Sequence, residues 1–395
     1  MHSQQQPTIT AGTSERNTKQ YDYIITGAGC AGLSLVMHMI DSGAFENKKI
    51  LLVDKDRKQQ NDRTWCFWQK SPGLFDVIVY KEWPQLLFHE DCFSGPLNIA
   101  PYTYKMIRGI DFYRHCFSII ERQPNIEIIF GEVDNIETNG AGSSVHINGK
   151  MYQGSFVFNS IIKGKPALKN KELWLLQHFK GWIIETGEDC FDPQQATLMD
   201  FRIDQSRGTA FCYVMPFTTT RALIEYTLFT PSLLQQDAYD ESLRSYIKNQ
   251  LGISQYKISE EEFGIIPMTN YRFSPGQGSI VNIGTIGGRT KASSGYTFQF
   301  IQKHSKAIVD ALIKKGNPFV AGEHRRFHFY DSVLLHILYH NKLPGSKIFA
   351  DLFKRNRAAQ VLKFLDNETS FSEELKIIST LPTWPFMKAA YKQVM

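Results

Sequence analysis

The chain has 395 residues, 42% of them hydrophobic, 13% aromatic and 21% charged, which suits one large composite fold or two to three domains and excludes a disordered, fibrous or repeat protein. A net charge of +5 is too small to argue for nucleic acid as a partner without a recognisable binding module, and is compatible with an anionic lipid surface. The six cysteines, Cys30, Cys66, Cys92, Cys116, Cys190 and Cys212, show neither C-x-x-C spacing nor paired histidines, so no metal site and no disulfide framework is expected, and the pattern fits a reducing cytoplasm.

Residues 1–20, MHSQQQPTITAGTSERNTKQ, lack the apolar core of a secretory signal and are expected to be a flexible lead-in. No segment approaches the roughly 18 uninterrupted apolar residues of a membrane-spanning helix. If a membrane is a partner, it is met at its surface, on the inner face of the cell membrane.

From Tyr21, YDYIITGAGCAGLSLVMHMIDSG predicts a buried strand, a glycine-rich turn and a helix. Gly27, Gly29 and Gly32 match G-x-G-x-x-G, with Ala28 inside the turn. The first glycine permits the tight turn, the second lets backbone approach a pyrophosphate, and the third lets helix pack on strand. The following KKILLVDKD is a second apolar strand that places Asp54 to hydrogen-bond a ribose hydroxyl. An acid there favours FAD or NAD over NADP.

IEIIFGEVDNIE, SSVHING and FVFNS read as strands of a small sheet returning to this unit. The stretch after them is strand-rich, with HFKGWIIET, TAFCYVMPF and ALIEYTLFT predicting an antiparallel sheet that roofs a cavity. In the last of these Glu225 stands among Ala222, Leu223, Ile224 and Leu228, which do not alternate with polar residues, so burial on both faces is expected. The plain alternative is an acid pointing to solvent. Asp200 and Arg221 read as structural, with a buried ion pair as the plain alternative to a direct role.

A second glycine-rich passage, SIVNIGTIGGRTKASSGYTF, carries Gly284, Gly287, Gly288, Ser294 and Gly295 before a long amphipathic helix. Two cradles far apart in the chain suit a long ligand with two ends, which favours FAD over NAD; otherwise the passage is a loop with Ser294 as helix N-cap. From about Val320 the chain turns helical, and Lys342, Lys347, Lys354, Arg355, Arg357 and Lys363 interleave with apolar clusters. That pattern suits a basic amphipathic surface on a lipid leaflet, or simply the outside of a globule.

The expected fold is therefore α/β: a Rossmann-like FAD-binding domain with an inserted β-rich substrate domain and a helical C-terminal region. Its divisions fall at 1–20, at 21–161 plus 276–318 for the split FAD domain, at 162–275 for the insert, and at 319–395 for the helices. Nothing in the sequence sets an oligomeric state.

Several of these stretches resemble the lycopene cyclase family. DRTWCFW, Asp62 to Trp68, is similar to its H-T-W-S-F-like segment, and ATLMDFRIDQ, YVMPFTTTRALIEYT, EEFGIIPM and GGRTKASSGYTF follow in matching order. The resemblance implies a carotenoid substrate, reduced FAD, NAD(P)H as an external reductant only, and a non-redox cyclisation by an intramolecular lyase or isomerase. It places Glu225 at the first acid of an F-L-E-E-T-like strand, as proton donor and acceptor. The second acid is replaced by Tyr226, which strand alternation puts on the other face. Glu261 or Glu262, ahead of the Gly264 to Pro267 turn, is implied in the substrate pocket, as are Trp65 and Phe67, whose faces with that of Trp68 would attract a cation. Two other readings stay open. One is an FAD-dependent monooxygenase or polyene reductase of the same fold, although such enzymes commonly carry Gly-Asp where this chain has Gly284-Thr285. The other is a non-catalytic carotenoid-binding flavoprotein.

Overall fold

The computed structural model describes residues 19–139, 142–320, 322 and 325–394. The lead-in expected over 1–20 lies, up to residue 18, outside the described residues.

The chain opens with β1 (Gln20–Thr26), α1 (Cys30–Asp41) and β2 (Ile50–Asp54). The apolar residues of β1 and β2 are buried, as in strands covered by helices above and below. Next come β3 (Thr64–Gln69), β4 (Lys81–Trp83), β5 (Gln85–Glu90), β6 (Phe93–Leu97), β7 (Thr103–Arg108) and α2 (Gly109–Ile120). They lead to β8 (Ile126–Phe130), β9 (Val133–Asn139), β10 (Gly142–Ile147) and β11 (Lys150–Asn159). The middle of the chain holds β12 (Trp174–Glu185), β13 (Gln195–Asp200), β14 (Thr209–Pro216), β15 (Arg221–Thr230), α3 (Gln236–Asn249) and β16 (Lys257–Thr269). After β17 (Gly276–Gln277), β18 (Ile280–Asn282) and α4 (Phe298–Lys315), the chain runs through α5 (Arg325–Tyr339), α6 (Gly345–Arg355), α7 (Ala358–Leu365), α8 (Phe371–Ser379) and α9 (Thr383–Val394).

Among the described residues the strands form three sheets. In the first, β8, β2, β1, β11 and β18 run parallel in that order, with β9, β10 and β17 attached antiparallel. This is a Rossmann-type arrangement, and its ligand crevice is expected beyond the carboxyl ends of the strands, where Thr26, Asp54 and Asn282 stand. The second sheet has the order β16-β12-β15-β14-β13-β5-β6. Its β5 and β6 come from residues 85–97, inside the stretch that sequence assigned to the nucleotide domain. This sheet is thus not confined to 162–275, the stretch expected to hold the inserted domain. β5 joins it by parallel pairing with β13, Gln85 opposite Gln195 through His89 opposite Asp200, and local patterning carries no information about partners so distant in the chain.

β15 is buried along Ala222–Thr230 and separates two cores. Ala222, Ile224, Tyr226 and Leu228 pack with Tyr239, Leu243, Tyr246 and Ile247 of α3. Leu223 and Phe229 point the other way, toward the core shared with α6 and α7. α6 lies on β5, β6 and β14 and buries Ile348, Phe349, Leu352 and Phe353. The apolar stripe that the sequence offers to lipid between 342 and 363 therefore packs inward, and its lysines and arginines form the outside of the globule. No helix among the described residues is long and apolar enough to cross a membrane.

Candidate active site

The first glycine turn is built for close backbone approach. Gly27 sits at φ +99°, and a Cβ on Gly32 would lie 1.9 Å from the Gly27 carbonyl oxygen. Gly29 is the N-cap of α1, with no capping side chain and open space where its own Cβ would be, so the first N–H groups of the helix are presented to the crevice. Asp54 ends β2 beside this turn. It accepts from the Ala28 N–H at 2.6 Å and the Asp56 N–H at 2.8 Å, with the Lys58 ammonium 3.6 Å away.

The second passage meets the first. A Cβ on Gly284, at φ +63°, would come within 2.8 Å of the Ala31 methyl, so the turn through Gly287 and Gly288 is seated on the first turn of α1. Beyond it α4 starts at Phe298 with Thr297, not Ser294, as its N-cap. Ser294 is buried instead, with Gly295, on the wall of a cavity of about 400 Å3. Its Oγ and the neighbouring Gln177 Oε1 are buried polar atoms without a protein hydrogen-bond partner, a fit for the polar groups of a bound ligand.

Glu225 lines the same cavity, 7% exposed. It is not alone there. On β12, Gly181 lies directly opposite Glu225 of β15 on one side and Glu262 of β16 on the other. Residues opposed across a ladder share a face, so both carboxyls rise from the cavity side, and Gly181 has no side chain to stand between them. The Thr227 hydroxyl donates to Glu225 Oε1 at 2.8 Å and the Thr64 hydroxyl to Glu262 Oε2 at 2.7 Å. Glu262 Oε1 is buried and has no hydrogen-bond donor, and two carboxyls set opposite one another across a single glycine disfavour a second negative charge. Burial first, and then the like charge of Glu262, push Glu225 well above the usual carboxylate range. Burial also raises Glu262, while the hydrogen bond from Thr64 opposes the rise.

The neighbours of the Glu225 carboxyl are mostly aromatic or sulfur-bearing. Cys66 of β3, Tyr104 of β7, Tyr213 and Met215 of β14, and Tyr296 line the cavity beside it. Burial raises the Cys66 thiol and the Tyr213 phenol, and the Glu225 charge adds to both. Trp65 is on the cavity wall too. Phe67 is not: it stacks on Phe298 at 4.5 Å between ring centres, inside the core under α1 and α4. Glu261 is also out of the site, because one step along a strand reverses the face; it pairs with Lys180 at 3.2 Å on the outside of the sheet. Tyr226 points away from the cavity, into the α3 core. Asp200 and Arg221 do not pair with each other: Asp200 holds Arg202 at 2.7 Å and accepts from Tyr246, and Arg221 holds Glu260 at 3.0 Å.

Sequence reasoning missed Thr64, Cys66 and Gly181. A glycine inside an apolar strand run, as in HFKGWIIET, is the kind of signal that marks a close approach.

The fold is that of the flavoprotein reductases and dehydrogenases. A geranylgeranyl bacteriochlorophyll reductase-like protein from Thermoplasma acidophilum superimposes with a TM-score of 0.62 at 12% identity, over 94% of this chain and 98% of that one. A flavoprotein/dehydrogenase from Cytophaga hutchinsonii gives 0.63 at 12%, over 95% and 99%. Within that fold, the family model "Lycopene cyclase protein" matches residues 22–391, and the chain belongs to the lycopene cyclase family. Curated relatives include a chloroplastic neoxanthin synthase from Solanum tuberosum, 25% identical over 321 residues, covering 75% of this chain and 61% of the relative. A lycopene beta-cyclase from Pantoea ananas is 23% identical over 261 residues, 63% of each. The chain thus spans somewhat over three fifths of the curated relatives it matches.

Proposed function

We propose that the chain is a lycopene cyclase that closes the end groups of a linear carotene to β-ionone rings by acid–base chemistry, with FAD bound in its reduced form and without net redox. The observation that carries this reading is Glu225, buried on the wall of a cavity that the second glycine passage also lines, opposite Glu262 across Gly181 and raised well above the ordinary carboxylate range.

A carbon–carbon double bond is a feeble base, and its protonation needs a neutral carboxylic acid in a dry site. Glu225 gives its proton to the terminal double bond, and an internal double bond attacks the resulting cation. The pair then takes up the proton that leaves the new ring, which restores the starting state. Thr227 and Thr64 fix the two carboxyls, and Trp65 on the wall would add cation–π attraction of about 0.5–2 kcal/mol.

Gly27, Ala28, Gly29, Gly32 and Asp54 would hold the ADP end of FAD, and Gly284, Gly287, Gly288, Ser294 and Gly295 its ring end. Reduced flavin, when bound, supplies an electron-rich ring system that supports positive charge nearby. NAD(P)H enters only as an external reductant.

Anaerobic incubation of the purified protein with lycopene and reduced FAD tests this. Ring-bearing isomers of unchanged mass are expected, with no NAD(P)H consumed in proportion to product. The fold relatives include a geranylgeranyl bacteriochlorophyll reductase-like protein and a p-nitrophenol 4-monooxygenase, so a polyene reductase or FAD-dependent monooxygenase is the second reading, and stoichiometric NAD(P)H consumption would decide for it. Lycopene bound and recovered unaltered would decide for a binding protein.

A further inference from the structure

We propose that the outer face of α8 and α9 is a docking surface for an anionic lipid leaflet. Phe371 and Leu375 of α8 are 60% and 51% exposed, and Trp384, Met387 and Tyr391 of α9 are 75%, 58% and 64% exposed. Their spacings, four apart on α8 and three then four apart on α9, put each set on one helix face. The inward faces are already satisfied: Ile377 and Ala389 are buried in the main core with Leu381 and Phe386 packed against it. Both helices thus carry a second apolar stripe that no described part of the protein covers. Single exposed apolar side chains need no explanation, but a gathered patch marks a contact surface.

The charges on this face identify the occupant. Lys376, Lys388 and Lys392 are exposed beside the stripe, and α9 contains no Asp or Glu. The two acids of α8 are engaged elsewhere: Glu373 binds Lys363 and the helix N-cap at Ser370, and Glu374 is fully buried against Arg326. A face with cations of one sign would repel a second copy of itself. Lysine is depleted in protein–protein contacts, whereas Trp and Tyr at the level of lipid headgroups, flanked by lysines, are the usual composition of an interfacial helix.

Its position connects it to the cavity. α5 packs on both α9 and β16, and the Asn270 amide at the end of β16 donates to Gln393 of α9 at 3.4 Å. Ile266, on the cavity wall, is about 13 Å along the strand from that contact, and Phe263 and Ile265 beside it are exposed. A leaflet on α8 and α9 would lie next to the cavity rim. This surface stands without the proposed reaction, and its test involves no turnover.

The test is sedimentation of the full chain with vesicles of phosphatidylcholine, alone or mixed with phosphatidylglycerol. Binding to the mixed vesicles is expected, falling as salt is raised. Trp384→Ala with Tyr391→Ala should lower the partition coefficient about tenfold or more. Lys388→Gln with Lys392→Gln should abolish the preference for phosphatidylglycerol. Circular dichroism checks that each variant is folded, as expected for exposed positions. Absence of parent binding, or parent-like binding of folded variants, would overturn the proposal. So would a solution dimer that ignores vesicles and dissociates on Trp384→Ala, which would assign the face to a contact between copies.

Discussion

Glu225 and Glu262 face one another across Gly181, each directly opposite it on the two neighbours of a single strand. The backbone ladder therefore sets their approach. Two buried like charges are strongly disfavoured, and retaining a proton is the cheapest way for the pair to exist.

The gap at Gly181 is narrow. A Cβ there would lie 2.9 Å from Leu223 Cδ1 and 3.0 Å from Glu262 Cγ. Both can yield, so Gly181→Ala should cost only about 1 kcal/mol of stability while displacing the Glu262 carboxyl. Thermal unfolding and product yield read the two effects separately, and a loss of cyclisation on the order of tenfold or more is expected at little cost in melting temperature.

The pair also sets the pH response. The acid must be protonated, so activity should fall as pH rises through its raised pKa. Glu262→Gln removes a like charge that pushes Glu225 up, and the alkaline limb of the rate profile should move to lower pH, by about one unit for each 1.4 kcal/mol of repulsion removed. An unmoved limb would separate Glu262 from the proton.

At the nucleotide end, Gly32→Ala brings a methyl group against backbone, not against a flexible side chain. Helix and strand must separate, at roughly 1–3 kcal/mol. The purified variant should retain little flavin, as read from its visible absorbance.

A separate acid sensitivity is expected at His178. It is fully buried, with Nε2 2.7 Å from the Thr230 hydroxyl and Nδ1 2.5 Å from the Tyr239 hydroxyl, and burial pushes it down to about 4. Above pH ~6.5 the ring is neutral both folded and unfolded and contributes no slope. Between there and 4 the unfolded chain binds more protons, so the parent should lose up to about 3 kcal/mol relative to a folded His178→Asn variant. Denaturant unfolding of both across that range measures the difference.

What the sequence made legible is what is local. The strand, glycine turn, helix and second strand from Gln20 to Asp54 form because apolar period and turn chemistry agree within one short stretch. Glu225 was visible because a carboxylate in an unbroken apolar strand is anomalous, and Tyr226 could be turned away from it by alternation alone. The partner of Glu225 was not visible. Which member of the run Glu260, Glu261, Glu262 faces the cavity depends on the register of β16 against β12, and the pairing of Glu262 with Glu225 depends on β12 lying between their strands. The same holds on β3, where Trp65 reaches the cavity and Phe67 is taken up by Phe298 of α4.

Product analysis of Glu225→Gln with lycopene and reduced FAD tests the proton-transfer role of this carboxyl directly. The amide keeps the size and the Thr227 hydrogen bond but has no acidic proton to give. Retained flavin and a cyclisation rate lower by about 10²–10⁴-fold are expected. A flavin-loaded Glu225→Gln that forms rings at the parent rate would contradict that role.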